Sequence, residues 1–170
     1  FRHILQDEPD IDFMLHPSFI DGISKLNQYG FTYDILIYPD HLPNAFTLAK
    51  SFPNQLFVID HLAKPNIKKQ EIANWSKQIK KITALENVFC KVSGMVTESD
   101  WNNWKEANFK PYLDIVLDAF GIERLMYGSD WPVLNGRKIA LPTAHPKHPA
   151  AHLANKAITS PVTADCLRLI

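Results

Sequence analysis

Short apolar runs of strand length alternate along the chain with longer segments that have helical spacing. Three of the runs are rich in β-branched or aromatic residues without regular polar alternation, which is typical of strands buried on both faces. The predicted strands are residues 1–6, 33–38, 56–60, 88–93 and 124–127. Strands that alternate with helices predict β-α-β units around a parallel sheet, so the expected fold class is α/β.

Four helices are predicted between these strands, at residues 18–29, 41–51, 69–85 and 100–120. In the third, Ile72, Trp75, Ile79 and Ile82 recur at steps of three and four beside a row of lysines, which indicates an amphipathic surface helix.

The ends of the helices carry recognisable signals. Gly30 and Gly121 follow the first and last helices and are natural stops, and Pro43 is placed to begin the second. Ser99 or Asp100 is expected to cap the last helix, and Pro111 is expected to break it into two.

Composition narrows the class of protein. A chain of 170 residues that is 46% hydrophobic can build one globular domain with a core. Lysine plus arginine and aspartate plus glutamate both number 18, so no charge excess favours nucleic acid or an anionic membrane. No apolar run has the length of a membrane span and no signal peptide opens the chain, so a cytoplasmic protein is expected.

The two ends of the sequence suggest a fragment. The chain begins at Phe1 within a predicted strand and has no initiator methionine. After Trp131 the pattern of strands and helices decays, and four prolines fall between Pro142 and Pro161. The expected organisation is a globular region at residues 1–135 and an atypical tail at residues 136–170.

Candidate chemistry lies where apolar strands end, because the carboxyl ends of parallel strands converge on one face of the sheet. His61 follows one strand, Asp130 follows another, and Lys91 interrupts the strand between them. Imidazole can bind metal, carry a proton or donate to a carbonyl oxygen, and a carboxylate can bind metal or take a proton from water. Together these groups suffice for hydrolysis.

Each of these residues also has a structural interpretation. Asp130 can cap a helix or fix a turn after Gly128 and Ser129, and His61 can be a hydrogen-bonded histidine of the core. A lysine within a buried strand is costly unless it is paired, so Lys91 should point into a polar site or bind a carboxylate.

Several segments resemble the amidohydrolase-related hydrolases (the amidohydrolase 2 family), in particular the branch of sugar-lactone and dicarboxylate-lactone hydrolases. The matching segments appear in the family's order, and the most specific are Asp60-His61-Leu62-Ala63-Lys64-Pro65 and Gly128-Ser129-Asp130-Trp131-Pro132. The resemblance covers roughly residues 1 to 135.

This resemblance implies a partial (β/α)8 TIM barrel, with the five predicted strands as about the last five of the barrel. The family's first strand carries a His-x-His pair, and no such pair occurs in this chain. The segment from about Gly136 does not resemble the family, which a frameshift or a truncation would explain.

The family's chemistry implies that Asp130 activates a water molecule as general base while His61 and Lys91 stabilise the oxyanion of a small lactone. It implies Gln6, Tyr38, Lys64 and Trp131 as substrate-binding residues. If a metal is bound, His61 and Asp130 are its ligands, so the expected cofactor is one zinc-like divalent ion or none. The alternatives are a metal-dependent amidohydrolase or decarboxylase of this fold, and a non-catalytic fragment. The expected partner is the small-molecule substrate, and the oligomeric state stays open.

Overall fold

The structure is a computed structural model and describes residues 1–130. These residues form one parallel sheet whose five strands lie side by side in chain order. The strands are β1 (Arg2–His3), β2 (Tyr33–Ile35), β3 (Phe57–Ile59), β4 (Val88–Val92) and β5 (Leu125–Tyr127). The predicted parallel α/β architecture is therefore confirmed, although β1 and β2 are shorter than expected. Residues 5–7 turn into a short 3-10 helix instead of continuing β1.

One helix follows each of the first four strands. The helices are α1 (Pro17–Gln28), α2 (Leu42–Ser51), α3 (Ala73–Ile82) and α4 (Glu106–Phe120). The core lies between these helices and the sheet, where Trp75, Phe57 and Tyr112 are among the largest fully buried side chains. None of the helices within residues 1–130 is long and apolar enough to cross a membrane.

The amphipathic pattern of α3 is confirmed, with Trp75, Ile79 and Ile82 buried. Its predicted start at residue 69 is wrong, because residues 66–71 form turns whose backbone amides bond locally, including Gln70 N to Ile67 O at 3.1 Å.

The prediction that Pro111 breaks the last helix is wrong. Pro111 lies on the exposed side of α4, and both Phe109 and Tyr112 beside it are buried, so tertiary packing keeps the helix continuous across one missing hydrogen bond. The predicted cap at Ser99 or Asp100 is also wrong. The helix begins after Lys105, whose backbone amide donates to the Asn108 side chain at 2.7 Å.

The register of the strands determines which polar residues meet. Arg2 pairs with Asp34 between β1 and β2, and Ile59 pairs with Cys90 between β3 and β4. The residues that follow this second pair are Asp60 and Lys91. Four charged side chains from four neighbouring segments therefore come to the same region of the sheet. Cys90 is buried and is a free thiol, as expected, and burial raises its pKa to about 12.

Candidate active site

His61 and Asp130 lie together beyond the carboxyl ends of β3 and β5. The His61 Nε2 and Asp130 Oδ1 atoms are 3.6 Å apart, and only 12% and 11% of the two side chains are exposed. This separation is longer than a good hydrogen bond, so the two groups face each other without being tied together. The structure thus brings together the two residues that the sequence analysis placed at strand ends.

Lys91 lies beside this pair and binds two carboxylates. Its Nζ is 2.5 Å from Asp60 Oδ1 and 3.2 Å from Asp34 Oδ2. The second oxygen of Asp60 accepts a hydrogen bond from Arg2 Nη1 at 3.0 Å, so this fully buried carboxylate has a cation on each side. The expectation that Lys91 binds a carboxylate is confirmed. We call Arg2, Asp34, Asp60 and Lys91 the charged network.

The charged network keeps Lys91 protonated. Burial by itself lowers the pKa of Lys91, but the hydrogen bonds and negative charges of Asp60 and Asp34 outweigh this effect and raise the pKa above its ordinary value. Sequence reasoning assigned no role to Arg2, Asp34 or Asp60. The sequence did contain a signal for the charged network, because an ionisable residue occurs in or directly after each of the first four strands.

Ser93 fixes the other side of the imidazole. Its Oγ lies 2.7 Å from His61 Nδ1, and Ser93 itself is buried. Burial lowers the pKa of His61; the negative charges of Asp130 and Asp60 oppose this, and Lys64 and Lys91 reinforce it. The neutral imidazole is therefore favoured. Because the facing Asp130 carboxylate is an acceptor, the tautomer that carries its N–H on Nε2 suits this arrangement and leaves Nδ1 to accept from the Ser93 hydroxyl. Ser93 was not among the predicted site residues.

The backbone from His61 to Lys64 is left-handed, although it contains no glycine. The φ angles of His61, Leu62, Ala63 and Lys64 are 52°, 56°, 56° and 49°. Each such residue costs roughly 1–2 kcal/mol relative to right-handed backbone, and strain of this kind persists only where the surroundings hold it. We call residues 61–64 the left-handed turn. Asp130 is also left-handed, with φ 58°.

Two glycines allow the close packing around these side chains. Gly94 has φ +65°, and a Cβ placed there would lie 2.9 Å from His61 Nδ1 and 3.0 Å from His61 Cβ. A Cβ on Gly128 would lie 3.2 Å from both Lys91 Cδ and Ser93 Cβ. Both contacts are tighter than side chains normally allow, so these positions suit glycine.

A cavity of about 730 Å³ opens among the loops that follow β2, β3 and β4. Two of the predicted substrate-binding residues, Tyr38 and Lys64, lie on its wall, together with Glu71 and Glu98. The Lys64 Nζ is 5.4 Å from the centre of the Tyr38 ring. His61 and Asp130 do not line this cavity.

The two other predicted substrate-binding residues are placed differently. Gln6 lies after β1, where its amide donates to Asp7 at 3.3 Å and its buried Oε1 has no hydrogen-bond partner among residues 1–130. Neither atom lines the cavity. Trp131 lies outside the described residues, as does the tail predicted at residues 136–170.

The described residues offer a metal ion two candidate ligands, His61 and Asp130. Within residues 1–130 no group of three or more histidine, cysteine, aspartate or glutamate side chains is arranged to hold a metal. The 3.6 Å between His61 Nε2 and Asp130 Oδ1 suits two ligand atoms that share an ion at about 2.0–2.2 Å from each. The pair therefore fits part of a metal site.

Comparison with known families gives a match to the model of the Amidohydrolase family over residues 5–156. The chain belongs to the Amidohydrolase family. This confirms the resemblance seen in the sequence, and the fold class with it, because the amidohydrolases of similar structure are TIM barrels and this chain covers part of them. The assignment to the last five barrel strands stays a prediction.

One similar amidohydrolase is the L-fucono-1,5-lactonase of Burkholderia multivorans. It is 37% identical over 143 residues, which cover 78% of this chain and 48% of that protein. A second L-fucono-1,5-lactonase, from Burkholderia ambifaria, is 36% identical over 132 residues and is covered to 45%. The chain therefore spans about half the length of these relatives.

Among solved structures, an amidohydrolase from Burkholderia multivorans with bound zinc is similar to this chain with a TM-score of 0.80 and 34% identity. The match covers 94% of this chain and 57% of the other. Amidohydrolases of this structural kind thus include one with a metal ion.

Proposed function

We propose that this chain is part of a hydrolase that opens a small, sugar-derived lactone by means of base-activated water. The observation that carries the proposal is the pair of His61 Nε2 and Asp130 Oδ1, nearly buried and 3.6 Å apart beyond two strand ends. Support comes from the similarity to two L-fucono-1,5-lactonases at 37% and 36% identity. A carboxylate and a neutral imidazole are the groups that acyl transfer to water needs.

In the proposed reaction Asp130 takes a proton from water, and the water oxygen attacks the lactone carbonyl carbon. The carbonyl oxygen becomes an oxyanion, which the Nε2–H of neutral His61 stabilises by a hydrogen bond. The intermediate then collapses, the ring C–O bond breaks, and the leaving oxygen takes the proton held by Asp130. The product is the open-chain hydroxy acid, and Asp130 is again a carboxylate.

Lys91 has a supporting role in this proposal. Both of its carboxylate partners lie within 3.2 Å, so its ammonium group is already occupied before any substrate binds. We propose that it supplies a fixed positive charge beside His61 and keeps Asp60 in place, and that His61 is the direct oxyanion donor.

The substrate's hydroxyl groups are proposed to contact Gln6, Tyr38, Lys64 and Trp131. The cavity of about 730 Å³ that Tyr38 and Lys64 line has the volume of an ordinary small-molecule site. Acidic residues Glu71 and Glu98 on the same wall can accept hydrogen bonds from sugar hydroxyls. A neutral polyhydroxylated ligand suits this lining. We further propose a cytoplasmic protein without a nucleic-acid or membrane partner; the equal numbers of acidic and basic residues support the second part of this proposal.

A metal-dependent version of the reaction is the second candidate, and zinc bound to a similar amidohydrolase favours it. His61 and Asp130 would then hold a divalent ion. Such an ion would polarise the carbonyl and lower the pKa of water, while Ser93 would continue to orient His61 through Nδ1.

The proposal is tested by measuring hydrolysis of L-fucono-1,5-lactone by the intact protein, with and without a chelator. Acid release followed by a pH indicator should show turnover well above the spontaneous rate. Full activity after chelation would exclude the metal-dependent version, and loss that zinc restores would establish it. Absence of turnover in both conditions, with a folded protein, would reject lactone hydrolysis.

A further inference from the structure

The left-handed turn is held by a residue of α3 that also lies on the wall of the cavity described above. The indole Nε1 of Trp75 in α3 donates a hydrogen bond of 2.7 Å to the backbone carbonyl of Leu62, the residue that directly follows His61. Trp75 is only 2% exposed, and its ring packs against Tyr112 of α4 with a centroid distance of 5.2 Å. The donor is therefore anchored in the core.

The side chains of the left-handed turn fall into two groups according to their exposure. Leu62 and Ala63 are fully buried, whereas His61 and Lys64 are partly exposed. The amide of Lys64 closes the turn on the carbonyl of His61 at 2.7 Å. In a turn of about three residues, the first and fourth side chains lie above one another. Lys64 is thereby carried to the same side as His61.

We propose that Trp75 is a positioning residue, whose indole N–H holds the left-handed turn and thereby aims His61 at Asp130. Relaxed right-handed backbone at residues 61–64 would move the imidazole away from Ser93 Oγ, which now lies 2.7 Å from Nδ1. The buried indole is suited to prevent this relaxation, because the Leu62 carbonyl would lose its side-chain donor if the turn unwound. The functional part of this inference rests on the proposed lactonase reaction.

The test compares Trp75→Phe with Trp101→Phe in the intact protein. Phenylalanine keeps an aromatic ring at position 75 and removes the N–H. Trp101 is a matched control, since its Nε1 also donates to a backbone carbonyl, that of Thr97 at 2.9 Å, but on an exposed loop. For L-fucono-1,5-lactone, kcat of Trp75→Phe should fall at least about tenfold with a smaller change in KM, while Trp101→Phe stays within twofold. Equal kcat values for Trp75→Phe and the unmodified protein would overturn the proposal.

A second variant separates positioning from mere stability. Ala63→Gly added to Trp75→Phe lowers the energy of the left-handed backbone but removes a buried methyl group. The double variant should therefore recover part of kcat without a matching rise in melting temperature. Activity and stability that fall together would mean that Trp75 has only a structural role.

A measurement on the unmodified protein tests whether the hydrogen bond from Trp75 to Leu62 is held. It applies even if Trp75→Phe does not fold or the protein has no lactonase activity. The indole proton of Trp75 should exchange with solvent at least about a hundredfold more slowly than that of Trp101, as followed by NMR. Equal exchange rates would show that the bond to Leu62 is not held, and would overturn the proposal independently of the reaction.

Discussion

The charged network and the His61–Asp130 pair lie next to each other but differ in how their charges are satisfied. In the network, the buried Asp60 carboxylate has Lys91 at 2.5 Å and Arg2 at 3.0 Å. In the pair, the facing atoms are 3.6 Å apart and both residues have left-handed backbone. The charges of the network are thus satisfied by contacts within the protein, whereas His61 Nε2 and Asp130 Oδ1 are not hydrogen-bonded to each other.

The difference indicates that the charged network has a structural role and that the His61–Asp130 pair is available to bind a substrate. Charges that are already paired within the protein hold their side chains in place and are costly to unpair, but they have no capacity left for a substrate. A carboxylate and an imidazole held just beyond hydrogen-bond distance can each take a new partner, such as water or a carbonyl oxygen. Mutations in the charged network should therefore lower mainly stability, and mutations in the His61–Asp130 pair should lower mainly activity.

The largest effect is expected from Asp130→Asn. An amide cannot take a proton from water, so kcat should fall by about 10²–10⁴-fold or more, while the melting temperature changes little. Lactone hydrolysis and thermal unfolding of the intact protein measure both quantities. Asp118→Asn, on the exposed side of α4, is the control and should leave both unchanged. Unaltered turnover in Asp130→Asn would reject Asp130 as the base.

Lys91→Met should act mainly on stability. It leaves the buried Asp60 with Arg2 as its remaining cation among residues 1–130, and removing one partner of a buried ion pair costs up to about 3–5 kcal/mol of unfolding free energy. Urea unfolding measures the loss. Lys110→Met breaks the surface pair with Asp114 at 2.6 Å and should cost about 0–1 kcal/mol. Similar losses in the two variants would contradict the distinction between a closed network and surface charge.

Ser93→Ala should reduce activity moderately. The variant removes the hydroxyl that lies 2.7 Å from His61 Nδ1, and a single hydrogen bond of this kind contributes about 0.5–1.5 kcal/mol, which corresponds to a loss in kcat of up to about tenfold. Steady-state kinetics would detect it. A decrease of 10³-fold or more would mean that Ser93 reacts with substrate directly.

The smallest effect concerns pH. Burial lowers the pKa of His61 below its ordinary value of 6.5, so the unfolded chain binds a proton at a higher pH than the folded protein does. The contribution of His61 to stability is present above about pH 6.5 and is lost as the pH falls toward the lower pKa of the folded state. Unfolding free energies measured from pH 7.5 to 5 should decrease more for the unmodified protein than for His61→Asn. Parallel curves would contradict the shift.

Much of the fold could be predicted, because strands such as Phe57–Ile59 are continuously apolar and α3 has regular amphipathic spacing. The predictions from local sequence were wrong where tertiary contacts outweigh local signals. The buried neighbours of Pro111 keep α4 unbroken, and the turn after Ile4 ends β1 early.

The site was predicted in part for the same reason. His61 and Asp130 were visible as polar residues after apolar strands, but the partners of Lys91 depend on the register of neighbouring strands. The left-handed turn was hidden, since residues 61–64 contain no glycine and the indole that bonds to Leu62 belongs to Trp75, thirteen positions later.

Gly94 also has a consequence for interpreting the sequences of related proteins. With φ +65° and the His61 ring about 3 Å from where a Cβ would lie, position 94 excludes every residue that carries a side chain, as long as the imidazole keeps this orientation. Among relatives of unknown activity, a glycine at this place should mark the chains that hold their histidine in the same way. A replacement there would flag an altered or lost activity from the sequence alone.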